Sequence, residues 1–132
     1  MYTISISYTY YEEINNGFYV SVFGNATWDE SNVKDVWATL FNNDRPKPND
    51  TREIKNNRNF TLSTYIGTKI AENNKVSLTV TFDYKKEESK KSLNKTVPED
   101  CLNSNATCFE QTGKRYEARE DCVCYLNTTV LS

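Results

Sequence analysis

Three stretches of the chain alternate between two kinds of residue: 2–10, 59–66 and 76–84. One set of positions is mostly apolar or aromatic, and the other is mostly Ser or Thr. A period of two places successive side chains on opposite faces of an extended chain. Each stretch is therefore predicted to be a half-buried β-strand.

Two further segments complete the predicted elements of the first half. Residues 15–17 (Asn-Asn-Gly) are a turn signal, and the apolar segment 18–23 follows as a strand. We therefore expect residues 2–23 to form a hairpin that Gly24 and Asn25 end. Residues 28–42 fit a helix, with Asp29 or Ser31 as its N-cap, but residues 36–41 also alternate as a strand, so both remain open.

The loops are indicated by composition. Residues 42–51 contain two prolines and are predicted to be a loop, and Asn73 and Asn74 mark a turn before the strand 76–84. The charged run 85–91 is predicted to be a solvated turn. Several short strands joined by turns favour a mainly β fold, an antiparallel barrel or a sandwich, and the length of 132 residues suits a single domain over 1–132.

Charge and hydropathy remove several classes of partner. The net charge of −2 gives no basic field for nucleic acid, and no apolar run has the roughly 20 residues of a membrane span. The first residues alternate instead of forming an apolar block, so they do not look like a signal peptide. We expect a monomer with no cofactor.

Glycosylation sequons are unusually frequent. The Asn-x-Ser/Thr pattern, with no proline at x, occurs six times, whereas one or two would be expected by chance. This excess predicts a secreted, extracellular glycoprotein, and the alternative is a simple bias towards Asn and Thr. Secretion without a signal peptide suggests that an N-terminal segment is missing, and we expect a chain extended upstream to be more stable. The candidate acceptors are Asn25, Asn49, Asn59, Asn94, Asn105 and Asn127.

All four cysteines lie in the last quarter of the chain, at Cys101, Cys108, Cys122 and Cys124. An even number of cysteines in a secreted chain favours disulfides over a zinc site. Cys122 and Cys124 are two apart on a predicted strand, about 6.5–7 Å between Cα atoms, which disfavours a bond between them. Two pairings remain open: 101–122 with 108–124, or 101–124 with 108–122.

The residues available for catalysis are few. The chain has no histidine, which removes the commonest general base and metal ligand. The neighbouring pairs Glu12/Glu13 and Glu87/Glu88 would point to opposite faces of a strand, so neither makes an acid–base pair. We therefore expect no enzyme, no catalytic residue and no metal site, which leaves binding. Aromatic residues make up 13% of the chain, and they serve either as core packing or as the lining of a ligand pocket.

The segment 97–103 (Val-Pro-Glu-Asp-Cys-Leu-Asn) resembles the C-terminal region of tick salivary lipocalins, the histamine-binding family. In that family a Pro-x-x-Cys-Leu segment opens a C-terminal helix, and a last cysteine follows about twenty residues later, as Cys122 follows Cys101. The order of the strands 59–66 and 76–84 before this segment is also similar. The resemblance implies a lipocalin-like barrel, which would be incomplete here, with a C-terminal helix or a disulfide-linked segment.

Departures from the family change the expected ligand. The family has a cysteine in the strand that matches 59–66, bonded to the Cys101 position, and acidic residues near the bound amine; this chain lacks both. An ammonium buried without a carboxylate would be costly, so a lipid or eicosanoid is favoured over a biogenic amine. The resemblance implies sequestration of a small host mediator during blood feeding, which would help the feeder evade host immunity. The alternative is a glycan-shielded β-sandwich or barrel that binds a host protein. The expected pocket-lining rings are Tyr8, Tyr10, Phe18, Trp37, Phe60, Phe82 and Tyr84.

Overall fold

The computed structural model describes residues 18–42, 50–66, 77–98, 101, 109–112, 115–118 and 121–132. The predicted strand 2–10 and the turn 15–17 lie outside these residues. The described part contains ten β-strands, so the mainly β prediction is confirmed. They are β1 (Phe18–Trp28), β2 (Val33–Asn42), β3 (Asp50–Glu53), β4 (Arg58–Ile66), β5 (Leu78–Lys86), β6 (Ser89–Thr96), β7 (Phe109–Thr112), β8 (Arg115–Ala118), β9 (Asp121–Tyr125) and β10 (Thr129–Leu131).

Most of these strands belong to two sheets. In the first, called the β1 sheet, β1 pairs antiparallel with β4 along one edge and parallel with β9 and then β10 along the other. In the second, called the β2 sheet, the antiparallel order is β3-β2-β5-β6. Strands β7 and β8 pair with each other. Within the described residues the strands form separate sheets and do not close into one hydrogen-bonded barrel.

The core is built by the inward faces of the two sheets. Alternation along each strand buries one face, and the rings of Phe60 on β4 and Phe82 on β5 meet edge to face, with centroids 5.8 Å apart. Burial of these aliphatic and aromatic side chains is the main force that holds the sheets together. The largest fully buried side chains are Phe82, Leu40, Leu62, Ile66, Leu78, Val20, Val22, Val80 and Val97.

Polar side chains make hydrogen bonds to backbone groups at the ends and edges of the strands. The amide of Asn56 exchanges two hydrogen bonds with the backbone of Trp28: Trp28 N–H donates to Oδ1 at 2.9 Å, and Nδ2 donates to the carbonyl at 2.8 Å. The Oδ2 of Asp50 on β3 accepts from the backbone N–H of Ser63 on β4 at 2.9 Å. This last bond links an edge of the β2 sheet to an edge of the β1 sheet.

Strand β1 is longer than predicted. It continues through Gly24 and Asn25 to Trp28, and the ring of Phe60 on β4 covers Gly24 by occupying the space in which a side chain would lie. Between Tyr19 and Phe23, β4 pairs with one hydrogen-bonding edge of β1 and β9 with the other. The predicted hairpin partner, residues 2–10, lies outside the described residues.

The segment 28–42, which fitted either a helix or a strand, contains a strand. Residues 33–42 form β2, and Asp29 accepts hydrogen bonds from the backbone N–H and the Oγ of Ser31, at 3.0 Å and 2.7 Å. This local bonding makes a turn instead of a helix N-cap. A register shift lies between Lys34 and Trp37, where Asp35 has a positive φ of 53°. This bulge explains why the hydrophobic residues looked helical: it inserts a residue into the alternation.

The strands β4 and β5 confirm the predictions for 59–66 and 76–84 within two residues at each end. The charged run 85–91 holds a turn, as expected, but the turn is only Glu87 and Glu88, and the residues on both sides are strand. The lysine-rich β6 that follows was not predicted, because its positions from 89 to 94 are all exposed and carry no hydrophobic alternation. It is an edge strand, and charged side chains are typical of edges.

Candidate binding surfaces

Side chains that face away from the core of the β1 sheet form an exposed aromatic surface. Tyr19 is 62% exposed and Tyr125 is 72% exposed, although Val20 beside the first and Cys124 beside the second are fully buried. We call this surface the outer aromatic face. Its members are the exposed residues Tyr19, Phe23, Tyr125 and Val130 and the half-buried Tyr65.

The rings of the outer aromatic face are arranged in two pairs. Tyr19 and Tyr65 are cross-strand partners whose rings meet edge to face, with centroids 5.0 Å apart. Phe23 and Tyr125 are partners in the parallel ladder of β1 with β9, and their rings stack with centroids 5.8 Å apart. Cross-strand contacts of this kind fix ring orientation, which lowers the entropy that a ring loses when a partner binds.

The sequence explains why this face exists, although we did not predict it. Residues 18–23 are apolar on both faces of the strand, apart from Ser21. One face supplies Val20 and Val22 to the core, so the other must present Tyr19 and Phe23 to solvent. Two-sided hydrophobicity in a strand with one solvated face is the signal that could have located it.

Two of the candidate glycosylation sites lie on the β1 sheet, and a third lies beside it. Asn25 and Asn59 are direct cross-strand partners, and Asn25 Nδ2 donates to Asn59 Oδ1 at 3.3 Å. Asn127 is exposed in the short connection between β9 and β10. On the β2 sheet, Asn94 accepts a hydrogen bond from the hydroxyl of Thr81 at 2.7 Å. Asn49 and Asn105 lie outside the part of the chain that the structure describes.

Of the expected pocket-lining residues, the structure brings Phe60 and Phe82 into contact, in the core. Phe60, Phe82 and Tyr84 are buried in the core, where the Tyr84 hydroxyl donates to the carbonyl of Ser132 at 3.1 Å. Trp37 does not point inward as expected: it is 43% exposed on the outer face of the β2 sheet, because the bulge in β2 shifts the alternation. Phe18 belongs to β1, while Tyr8 and Tyr10 lie outside the described residues.

The three cysteines that the structure describes form a compact cluster on the core side of the β1 sheet. Of the two pairings that the sequence left open, the structure contains the Cys101–Cys124 bond, and Cys122 is disulfide-bonded as well. Cys108 lies outside the described residues. The sulfur atoms of Cys101, Cys122 and Cys124 lie within 4.8 Å of one another, which is close enough for a shared metal. A disulfide sulfur is not a thiolate, so the oxidised cluster offers no such ligand.

Four ion pairs join charged side chains at the surface of the described residues. Lys34 Nζ lies 3.1 Å from Glu88 Oε1, and this hydrogen bond and charge lower the pKa of Glu88. The hydrogen bonds that Ser31 donates lower the pKa of Asp29. The Asp29–Ser31 contacts lie within one turn, whereas the Lys34–Glu88 pair links β2 to the turn between β5 and β6.

No family model matches the chain, and neither the curated proteins nor the solved structures contain a match to it. Across the residues that the structure describes, no helix is long and apolar enough to cross a membrane.

Proposed function

We propose that this chain is a secreted, glycosylated, non-enzymatic binding protein that recognises a partner protein through the outer aromatic face. The observation that carries the proposal is the exposure of Tyr19, held against Tyr65 on a rigid sheet. Tyrosine is enriched in protein interfaces because it offers a large apolar ring together with a hydroxyl.

The properties of the interior support the same function. Side chains from both sheets meet in one core, where the rings of Phe60 and Phe82 are in edge-to-face contact. A partner protein would meet the outer faces of these sheets and not this core. Extracellular conditions would keep the Cys101–Cys124 bond oxidised, and the bond would hold β9 in place beside β1.

The experiment is a binding screen with the protein secreted from an insect cell line and assembled into biotinylated tetramers. The tetramers are tested against an array of extracellular protein domains. We expect binding that Tyr19→Ser combined with Tyr65→Ser abolishes, while the control Trp37→Ser on the other sheet retains it. Absence of any partner, or equal loss with Trp37→Ser, would contradict the proposal.

A second candidate function is the sequestration of a small amphipathic molecule, as the resemblance to tick salivary lipocalins implies. One observation favours it. Leu93 on β6 pairs with Phe82 and so lies on the core side of the β2 sheet, yet it is 37% exposed. Lys91 and Lys95 are on the same side, opposite Tyr84 and Val80. An apolar side chain between two ammonium groups would suit a lipid carboxylate.

Native mass spectrometry separates the two candidates. The secreted protein is challenged with histamine, serotonin and a long-chain fatty acid. Under the second candidate the fatty acid binds, Lys91→Ala with Lys95→Ala weakens it, and the control pair Lys85→Ala with Lys90→Ala, on the opposite face of the same strands, does not. A protein that remains free of all three probes would leave only the surface function.

A further inference from the structure

Two of the sequons are preceded by an aromatic residue at the same position. Phe23 stands two residues before Asn25, and Tyr125 stands two residues before Asn127. The two rings are the pair that stacks across β1 and β9, at 5.8 Å between centroids. One stacked pair therefore lies beside two glycosylation sequons that are 102 residues apart in the sequence.

We propose that Asn25 and Asn127 carry N-linked glycans whose first N-acetylglucosamine residues pack on the Phe23–Tyr125 pair, and that Asn59 stays unmodified. This inference rests on the proposed passage through the secretory pathway. It divides the outer aromatic face into a glycan-covered end at Phe23 and Tyr125 and an end without glycans at Tyr19 and Tyr65.

The geometry of β1 favours contact between a sugar and the Phe23 ring. Residues two apart on a strand point to the same face, about 6.5–7 Å apart, which is close to the span of one sugar ring. The C–H groups on one face of N-acetylglucosamine carry partial positive charge and are attracted to the negative face of an aromatic ring. The sugar would remove from water a ring that is 36% exposed at Phe23 and mostly exposed at Tyr125.

The attachment step leaves the folded contacts intact. The Nδ2 of asparagine bonds to C1 of the reducing-end sugar of a polyprenyl-diphosphate-linked oligosaccharide, and the C1–O bond breaks. The diphosphate leaves with the electron pair, and the amide gives up one proton. The nitrogen keeps its other hydrogen, so Asn25 Nδ2 can still donate to Asn59 Oδ1, as it does at 3.3 Å.

Asn59 differs from Asn25 in two respects. The residue two positions before it is Asn57, which lies in a turn with a φ of 58° and offers no ring. Its Cβ would also lie about 4.5–5.5 Å from that of Asn25, because the two are direct cross-strand partners. Two glycans rooted so close together would collide, so the site without an aromatic neighbour is the one left free.

Glycopeptide mapping of protein secreted from an insect cell line tests site choice without any variant. Trypsin separates the three sites, since Lys34, Arg58 and Arg119 divide them. Conversion of modified asparagine to aspartate by an amidase in heavy-oxygen water then reports occupancy. We expect Asn25 and Asn127 to be occupied in most molecules and Asn59 in few. Glycans on other sequons with none on Asn25 would overturn the inference, whereas a secreted protein with no glycan would overturn the glycoprotein part of the proposed function.

Thermal unfolding tests the contact with the rings. Asn25→Gln should lower Tm by a few degrees in the wild-type background and much less in a Phe23→Ala background. The matched control is Tyr19→Ala, an exposed ring on the same face of the same strand, six residues before Asn25, in whose background the full loss should persist. Phe23→Leu repeats the test with an apolar side chain if Phe23→Ala does not fold. Equal losses in all backgrounds would show that the sugar does not rest on the ring.

Discussion

Gly24 and Phe60 are direct partners on β1 and β4, and the Phe60 ring lies over the glycine. A Cβ added at Gly24 would be 2.5 Å from the Cζ of Phe60. The ring has no room to retreat, because it is buried and meets Phe82 edge to face. A glycine that would otherwise weaken a strand interior is thus covered by an aromatic side chain.

Gly24→Ala should therefore destabilise the protein by about 1–3 kcal/mol through overpacking. Chemical denaturation of both proteins measures this loss. A double-mutant cycle supplies the control: in a Phe60→Leu background the same alanine should cost at least about 1 kcal/mol less, because the ring is gone. Strictly additive losses would show that the contact does not explain the glycine.

The turn between β5 and β6 is built from residues that do not favour it. Glu87 and Glu88 have φ values of 49° and 71° in a two-residue loop between Lys86 and Ser89. Positive φ at both positions is typical of a type I′ turn, for which Asn-Gly is the preferred sequence. Glu87→Asn with Glu88→Gly should raise Tm by a few degrees, despite loss of the exposed ion pair to Lys34.

The matched control for the turn is Glu87→Gln with Glu88→Gln. It removes both charges and the ion pair but leaves residues with the same backbone preferences. We expect its Tm to stay at or below that of the wild type. A rise equal to that of the Asn-Gly variant would assign the effect to charge instead of backbone conformation.

The strands that the sequence predicted best are those with one face in the core. In β4 and β5 a buried residue alternates with a more exposed one, so periodicity alone located them. Periodicity was insufficient where contacts between distant parts of the chain determine the structure. The bulge at Asp35 made β2 look helical, the Phe60 ring lets β1 pass through Gly24, and β6 forms only because β5 provides an edge to pair with.

The candidate surface was harder to predict because it depends on strands far apart in sequence. Phe23 and Tyr125 meet only when β9 adds in parallel to β1, and nothing local in either segment specifies that pairing. The sequons and the four clustered cysteines could be found by inspecting the sequence. Their relation to the aromatic pairs required the fold.

Hydrogen bonds from Ser31 set the acidity of Asp29. Its pKa lies below the ordinary value of 3.8, and the largest cause is the hydroxyl of Ser31. The charged carboxylate is thus favoured in the folded state, so this interaction stabilises the fold above pH 3.8 and is lost as the pH falls through the lowered pKa. Ser31→Ala should raise the pKa of Asp29 towards 3.8 in an NMR titration of side-chain carboxyl carbons. Ser21→Ala, on the middle of β1, is the control that should not move it.

The bond between Cys101 and Cys124 closes a loop across the C-terminal quarter of the chain. Its sequence separation is 23 residues, and Cys124 is fully buried in the core. Replacing both cysteines by alanine removes the cross-link from the unfolded chain, which by loop-closure entropy costs about 3 kcal/mol. Denaturant unfolding should show this loss.

Because the disulfide holds β9 beside β1, the variant without it should also lose amide exchange protection at Val123 before it loses protection at Leu62, on the opposite side of β1. Equal loss of protection at both positions would show that the disulfide stabilises the whole fold and does not specifically secure β9.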